Sequence, residues 1–142
     1  MKKFLQIGAL SIICVVFLTA CGGKTLTCTI EGEEDGMKQT EEIKYTFKDD
    51  KVSKAKMTMT MELEDNSQID TYKEMIEQQY EEINKKDGVK VEVKASGKKL
   101  TVTMDVDATK LTKEDLEGEY DDFAGTLDEI KKQYTDNDYK CK

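Results

Sequence analysis

Val89-Lys-Val-Glu-Val-Lys-Ala-Ser-Gly-Lys-Lys-Leu-Thr-Val-Thr-Met-Asp-Val106 decides the fold. Val89, Val91, Val93 and Ala95 alternate with Lys and Glu. Leu100, Val102, Met104 and Val106 alternate with Thr and Asp. Period two marks strands with one buried face, and Ser96-Gly97 supplies the turn between them. The pattern recurs toward the N-terminus. Ala55, Met57, Met59, Met61 and Leu63 form one stripe; Ile43, Tyr45 and Phe47 form another, within a strand over 37–48; Leu26, Cys28 and Ile30 form a third. Asp35-Gly36 and Asp49-Asp50 are the turns that join them. Val52 is out of phase with the methionine stripe, which predicts a bulge near Ser53.

Two segments change to a helical period. Ile69, Tyr72, Ile76, Tyr80 and Ile83 recur every three or four residues after Ser67-Gln-Ile-Asp70 and stop at Asp87-Gly88. Thr112-Lys-Glu-Asp115 reads as an N-cap with acids in the first turn. Leu116, Tyr120, Phe123, Leu127, Ile130 and Tyr134 then make one stripe, with Gly118 and Gly125 as points where it can break. A polar tail over 135–142 brings Cys141 back. The expected fold is α+β: an antiparallel five-stranded sheet in the order β-β-β-α-β-β-α, with two helices on one face and water on the other.

Composition narrows the chemistry. The chain has 142 residues, with 22 Lys+Arg against 30 Asp+Glu, a formal net charge of −8, and no His. Every basic residue is Lys; Arg, Trp and Pro are also absent. Ser-His and Cys-His pairs, imidazole ligands and bidentate guanidinium contacts are therefore excluded. An acidic chain is a poor partner for nucleic acid.

The N-terminus reads as a processing signal. Lys2 and Lys3 precede an apolar run from Phe4 to Leu18, which is short for a membrane span. It ends in Leu18-Thr-Ala-Cys21, which resembles the lipobox of bacterial lipoproteins. The resemblance implies cleavage before Cys21 and a diacylglyceryl group on its sulfur, hence a chain held at the cell membrane on its extracytoplasmic face. Residues 1–20 are then a cleaved signal peptide, 21–24 a lipidated tether and 25–142 one α+β domain. Processing removes two lysines and no acid, leaving the chain more acidic than before.

Of the four cysteines, Cys14 leaves with the signal and Cys21 takes lipid. Cys28 and Cys141 remain in an exported domain, which reads as one disulfide. Other candidate sites have plainer readings. Met57, Met59 and Met61 are soft Cu(I) ligands in principle, but they share the apolar face of a strand and read first as core. Glu31-Gly-Glu-Glu-Asp-Gly36 and Asp136-Asn-Asp138 are acidic turns without EF-hand spacing. Ser96-Gly-Lys-Lys99 satisfies S-x-x-K but sits at a hairpin tip rather than a helix start. No cofactor is expected.

Charge is unevenly spread. Glu114 to Asp138 holds ten acids against two Lys. The outward positions of the strands carry Lys44, Lys48, Lys54, Lys56, Lys90 and Lys94 among threonines. Such a face is ordinarily a solubilising one; it also suits anionic lipid headgroups or wall polymer.

Tyr45-Thr-Phe-Lys-Asp-Asp-Lys-Val52 resembles a hairpin segment of the YehR-like bacterial lipoproteins. Tyr80-Glu-Glu-Ile-Asn-Lys-Lys-Asp-Gly-Val89 and Leu100-Thr-Val-Thr-Met-Asp-Val106 follow in matching order, so the resemblance covers roughly Cys21 to Glu117. It implies a membrane-anchored lipoprotein with one compact α+β domain and carries over no active residue. Tyr139-Lys-Cys141 departs from that family's pattern.

Three function classes remain: a surface-anchored, non-enzymatic module binding a protein or small molecule; a structural or envelope-maintenance lipoprotein without a discrete ligand; and an enzyme. The missing His and Arg set the last behind the other two.

Overall fold

The alternating segments pair into one antiparallel sheet. In this computed structural model residues 23–34, 36–118 and 120–142 are described. The strands are β1 (Lys24–Glu34), β2 (Met37–Lys48), β3 (Lys51–Glu62), β4 (Val89–Ser96), β5 (Lys99–Asp107) and β6 (Lys140–Cys141). Their order across the sheet is β4-β5-β3-β2-β1-β6. Among the described residues the sheet thus has six strands, where the sequence predicted five.

Register follows the hydrophobic pattern. Leu26, Tyr45, Ala55, Val106 and Val89 lie in one row; Cys28, Ile43, Met57, Met104 and Val91 lie in the next row on the same face. Most of these side chains are buried, and the described residues bury no polar or charged one. Between β2 and β3, Thr46 pairs with Lys54 and Phe47 with Val52, so Ser53 is the extra residue. The bulge expected from Val52 is present. Ser53 Oγ donates to the Thr46 carbonyl at 3.0 Å, and its own carbonyl accepts from Ala108 N at 3.0 Å.

The first helix, α1 (Ile69–Gln79), is shorter than the stripe to Ile83 implied. A 3-10 turn, Ile83–Lys85, replaces its last part. There Asn84 Oδ1 accepts a hydrogen bond from Val91 N at 2.9 Å. β4 is an edge strand, and this contact caps one of its outward donors. Gly88 then turns with φ +87, and a Cβ there would stand 2.8 Å from the Asp107 carbonyl oxygen. Only glycine fits where these two connections cross.

The second helical stripe is interrupted. It forms α2 (Lys113–Glu117), a 3-10 turn Asp121–Ala124, and α3 (Leu127–Asp136). Gly118 ends α2. Thr126 starts α3 through a full capping box with Glu129, as Thr112 does for α2 with Asp115. The expected two helices are therefore two groups. The α1 group packs beside β4, and the α2–α3 group reaches over β3 and β1.

The tail is a strand rather than loose chain. Asp138 adopts φ 66, and Tyr139 N closes back on the Tyr134 carbonyl at 3.0 Å. The reversal lays β6 along β1, with Cys28 opposite Cys141.

Candidate functional site

The two helical groups leave a gap over the centre of the sheet. Its floor is Ile43 and Tyr45 on β2, Ala55 and Met57 on β3, and Met104 and Val106 on β5. Ile83 forms one wall; Tyr120, Phe123 and Tyr134 form the other. The volume is about 400 Å³, within the range of small-molecule sites. The sequence explains why it is open. Ala55 lies in register between Tyr45 and Val106, and Met57 lies between Ile43 and Met104. A small residue followed by unbranched, adaptable ones leaves room that a branched pair would fill.

The aromatic wall is held together through Tyr45. Its ring meets Phe123 edge-on at 5.9 Å between centroids and Tyr134 at 5.9 Å. Tyr120 and Phe123 are 5.5 Å apart. The Tyr45 and Tyr134 hydroxyls share a hydrogen bond of 2.9 Å. Edge and offset contacts of this kind fix ring positions. Among the described residues no charged side chain lines the gap, and a charged group entering this apolar lining loses hydration without compensation from it. The arrangement suits an apolar ligand of modest size.

The residues singled out from sequence are placed as follows. Cys28 and Cys141 are bridged. Met57 lines the cavity floor; Met59 and Met61 continue its stripe, half-buried against the core. Their register partners on β5 are Met104, Val102 and Leu100, so the sheet brings one further thioether beside Met57. Among the described residues no three His, Cys, Asp or Glu gather as a metal cluster. Ser96 and Lys99 pair across the hairpin tip, exposed. Cys21 and the signal lie outside the described residues. Tyr45, Ala55, Tyr120, Phe123 and Tyr134 were legible as core but not as a cavity; the one signal was an alanine in a stripe of methionines.

The comparisons bear on family. A protein named "Uncharacterized lipoprotein Lin0239", from Listeria innocua, is 33% identical over 107 residues, covering 73% of this chain and 68% of the relative. The chain belongs to this lipoprotein family. No family model matches the lipoprotein, so the YehR-like resemblance rests on the quoted segments alone. An NMR structure of a protein from Streptococcus pneumoniae TIGR4 covers 100% of the lipoprotein with a TM-score of 0.60 at 19% identity, and spans 96% of its own chain. At that identity the match speaks for the α+β fold alone. No helix among the described residues of the lipoprotein is long and apolar enough to cross a membrane.

Proposed function

We propose that the lipoprotein is a non-enzymatic binding module that holds an apolar small molecule at the outer face of the cell membrane. In this reading residues 1–20 are removed, Cys21 carries the lipid and 25–142 form the binding domain. The gap over Ala55, apolar in its described lining, carries the proposal: it is bounded by rigid rings on one side and flexible methionines below. A lipid tether keeps such a site where apolar molecules concentrate.

The test is titration of residues 23–142, which contain the whole sheet and its helices, with the apolar probe N-phenylnaphthylamine. Saturable fluorescence gain is expected, lost in Ala55→Leu, which fills the floor. Far-ultraviolet circular dichroism of that variant should match the parent. Absent or unsaturable binding by the parent overturns the ligand-holding role and favours envelope maintenance.

A further inference from the structure

The open face of the sheet is not uniformly basic. Most of its lysines gather at the end where β1 begins. One outward row is Thr27, Lys44, Lys56, Asp105 and Lys90; the neighbouring row holds Thr25, Thr46, Lys54 and Asp107. The β2–β5 members of these rows, together with Lys110, line an open concavity of about 530 Å³. The Ser53 bulge lies between Lys54 and the β2–β3 turn, and bulges bend a strand and sharpen its twist.

The charge balance in the concavity is positive. Five lysines face two aspartates there. Lys56 pairs with Asp105 at 3.7 Å and Lys90 with Glu92 at 2.5 Å. Lys44, Lys54 and Lys110 make no ion pair within 4.0 Å among the described residues and are exposed. Lys48 and Lys51, paired across the adjacent turn, extend the basic end beside Asp49 and Asp50. The next outward row changes sign: Glu42 and Glu92 stand among Thr29, Thr58 and Thr103. Lys94 on that side is held by Glu92 at 3.1 Å.

The tether enters at the same end. Lys24 pairs with Phe47 at the start of β1, and Cys21 precedes it by three residues. Three residues span at most roughly 11 Å. A lipid on Cys21 therefore holds this end, and not the glutamate-bearing end, next to the headgroups.

We propose that this lysine-lined corner docks on anionic lipid headgroups, orienting the domain on the bilayer that anchors it. The inference rests on lipidation at Cys21 for its geometry and on the concavity's lysines for its attraction. Each lysine near an anionic surface strengthens docking about fivefold at physiological salt, and added salt weakens it.

The test uses the mature lipidated protein mixed with phosphatidylcholine vesicles, with or without phosphatidylglycerol. Flotation reports attachment, and acylation of lysine amines, read by mass spectrometry, reports docking. On anionic vesicles alone, Lys44, Lys54, Lys56 and Lys110 should lose reactivity several-fold. Lys38, Lys94 and Lys99, at the far end of the same face, should keep it. High salt should restore the four, and Lys44→Gln/Lys54→Gln should weaken protection at Lys56 and Lys110 without changing flotation. Flotation on both vesicles with equal lysine reactivity overturns docking while leaving the anchor standing. Flotation and protection on anionic vesicles only overturn the anchor and support the surface; no flotation on either overturns both. Protection of the four lysines by added poly(glycerol phosphate), but not by anionic vesicles, replaces the bilayer with a polymer partner and overturns the proposal.

Discussion

Cys28 and Cys141 occupy directly opposed positions on β1 and β6, with their Cα atoms 4.1 Å apart and a disulfide between them. The neighbouring pair, Thr27 and Lys142, exchanges both backbone hydrogen bonds, at 3.0 and 2.9 Å. The cysteines therefore form the close, non-hydrogen-bonded type of antiparallel pair. The bridge joins positions 113 residues apart.

Cross-linking so long a loop restricts the unfolded chain more than a short one does. Reduction, or Cys28→Ala with Cys141→Ala, should lower stability by about 2–5 kcal/mol. The denaturant midpoint of the parent, measured with and without reductant, checks this. Equal midpoints would show that packing of α3 holds β6 unaided.

The β2–β3 turn stores strain that one substitution relieves. Asp49 and Asp50 adopt φ 52 and φ 60, the backbone of a two-residue hairpin turn that favours glycine at its second position. Aspartate tolerates this region only at some cost. Asp50→Gly should raise stability by about 0.5–1 kcal/mol. The ion pair with Lys24 that it removes joins two largely exposed side chains and contributes little. A thermal melt with no upward shift would mean that the Asp50 carboxylate holds the turn.

Thr126 starts α3 by accepting from Glu129 N, while Glu129 accepts from Thr126 N at 2.9 Å. Thr126→Ala should cost about 1 kcal/mol. It should also change the acid limb of the stability curve. Hydrogen bonds from the Thr126 backbone N–H, then from its hydroxyl, hold the Glu129 carboxyl below the usual range. A carboxyl depressed in the fold contributes stability above its unfolded value, lost as pH falls through the folded one. Denaturant midpoints from neutral pH downward should fall less steeply in the variant. Parallel curves would show that the cap acts independently of ionisation.

Strand period and bulge were legible because each is a local rule acting on adjacent residues; the bridge was legible by counting, since only Cys28 and Cys141 remain once Cys14 and Cys21 are assigned. Val52 out of phase was enough to place an extra residue at Ser53. The interrupted second stripe was harder. Leu116, Tyr120, Phe123, Leu127, Ile130 and Tyr134 keep helical spacing through two breaks. The decisive signal, Thr126 three residues before Glu129, lay inside what read as one helix. A two-residue strand such as β6 has too few side chains to show a period; its register depends on the reversal at Asp138. The cavity was illegible for another reason. It arises where two helical groups fail to meet, and that gap is set by tertiary packing.

Tyr139 makes the carboxyl-terminal reversal sensitive to alkali. Its ring meets Tyr134 edge-on at 4.9 Å, and its hydroxyl donates to Glu41 Oε1 at 3.0 Å. Burial, then the hydrogen bond to Glu41 and the carboxylate's negative charge, push its pKa up to about 12. The neutral phenol is thus favoured in the fold. Its contribution is complete below the ordinary value of 10.0 and is lost as pH rises from there toward about 12. Tyrosinate absorbance should show a late step that Tyr139→Phe removes. The same variant, lacking the hydroxyl, should be less stable at neutral pH yet lose less stability between those two pH values. If the late step persists in Tyr139→Phe, another tyrosine is its source and the alkaline sensitivity of β6 does not originate at Glu41.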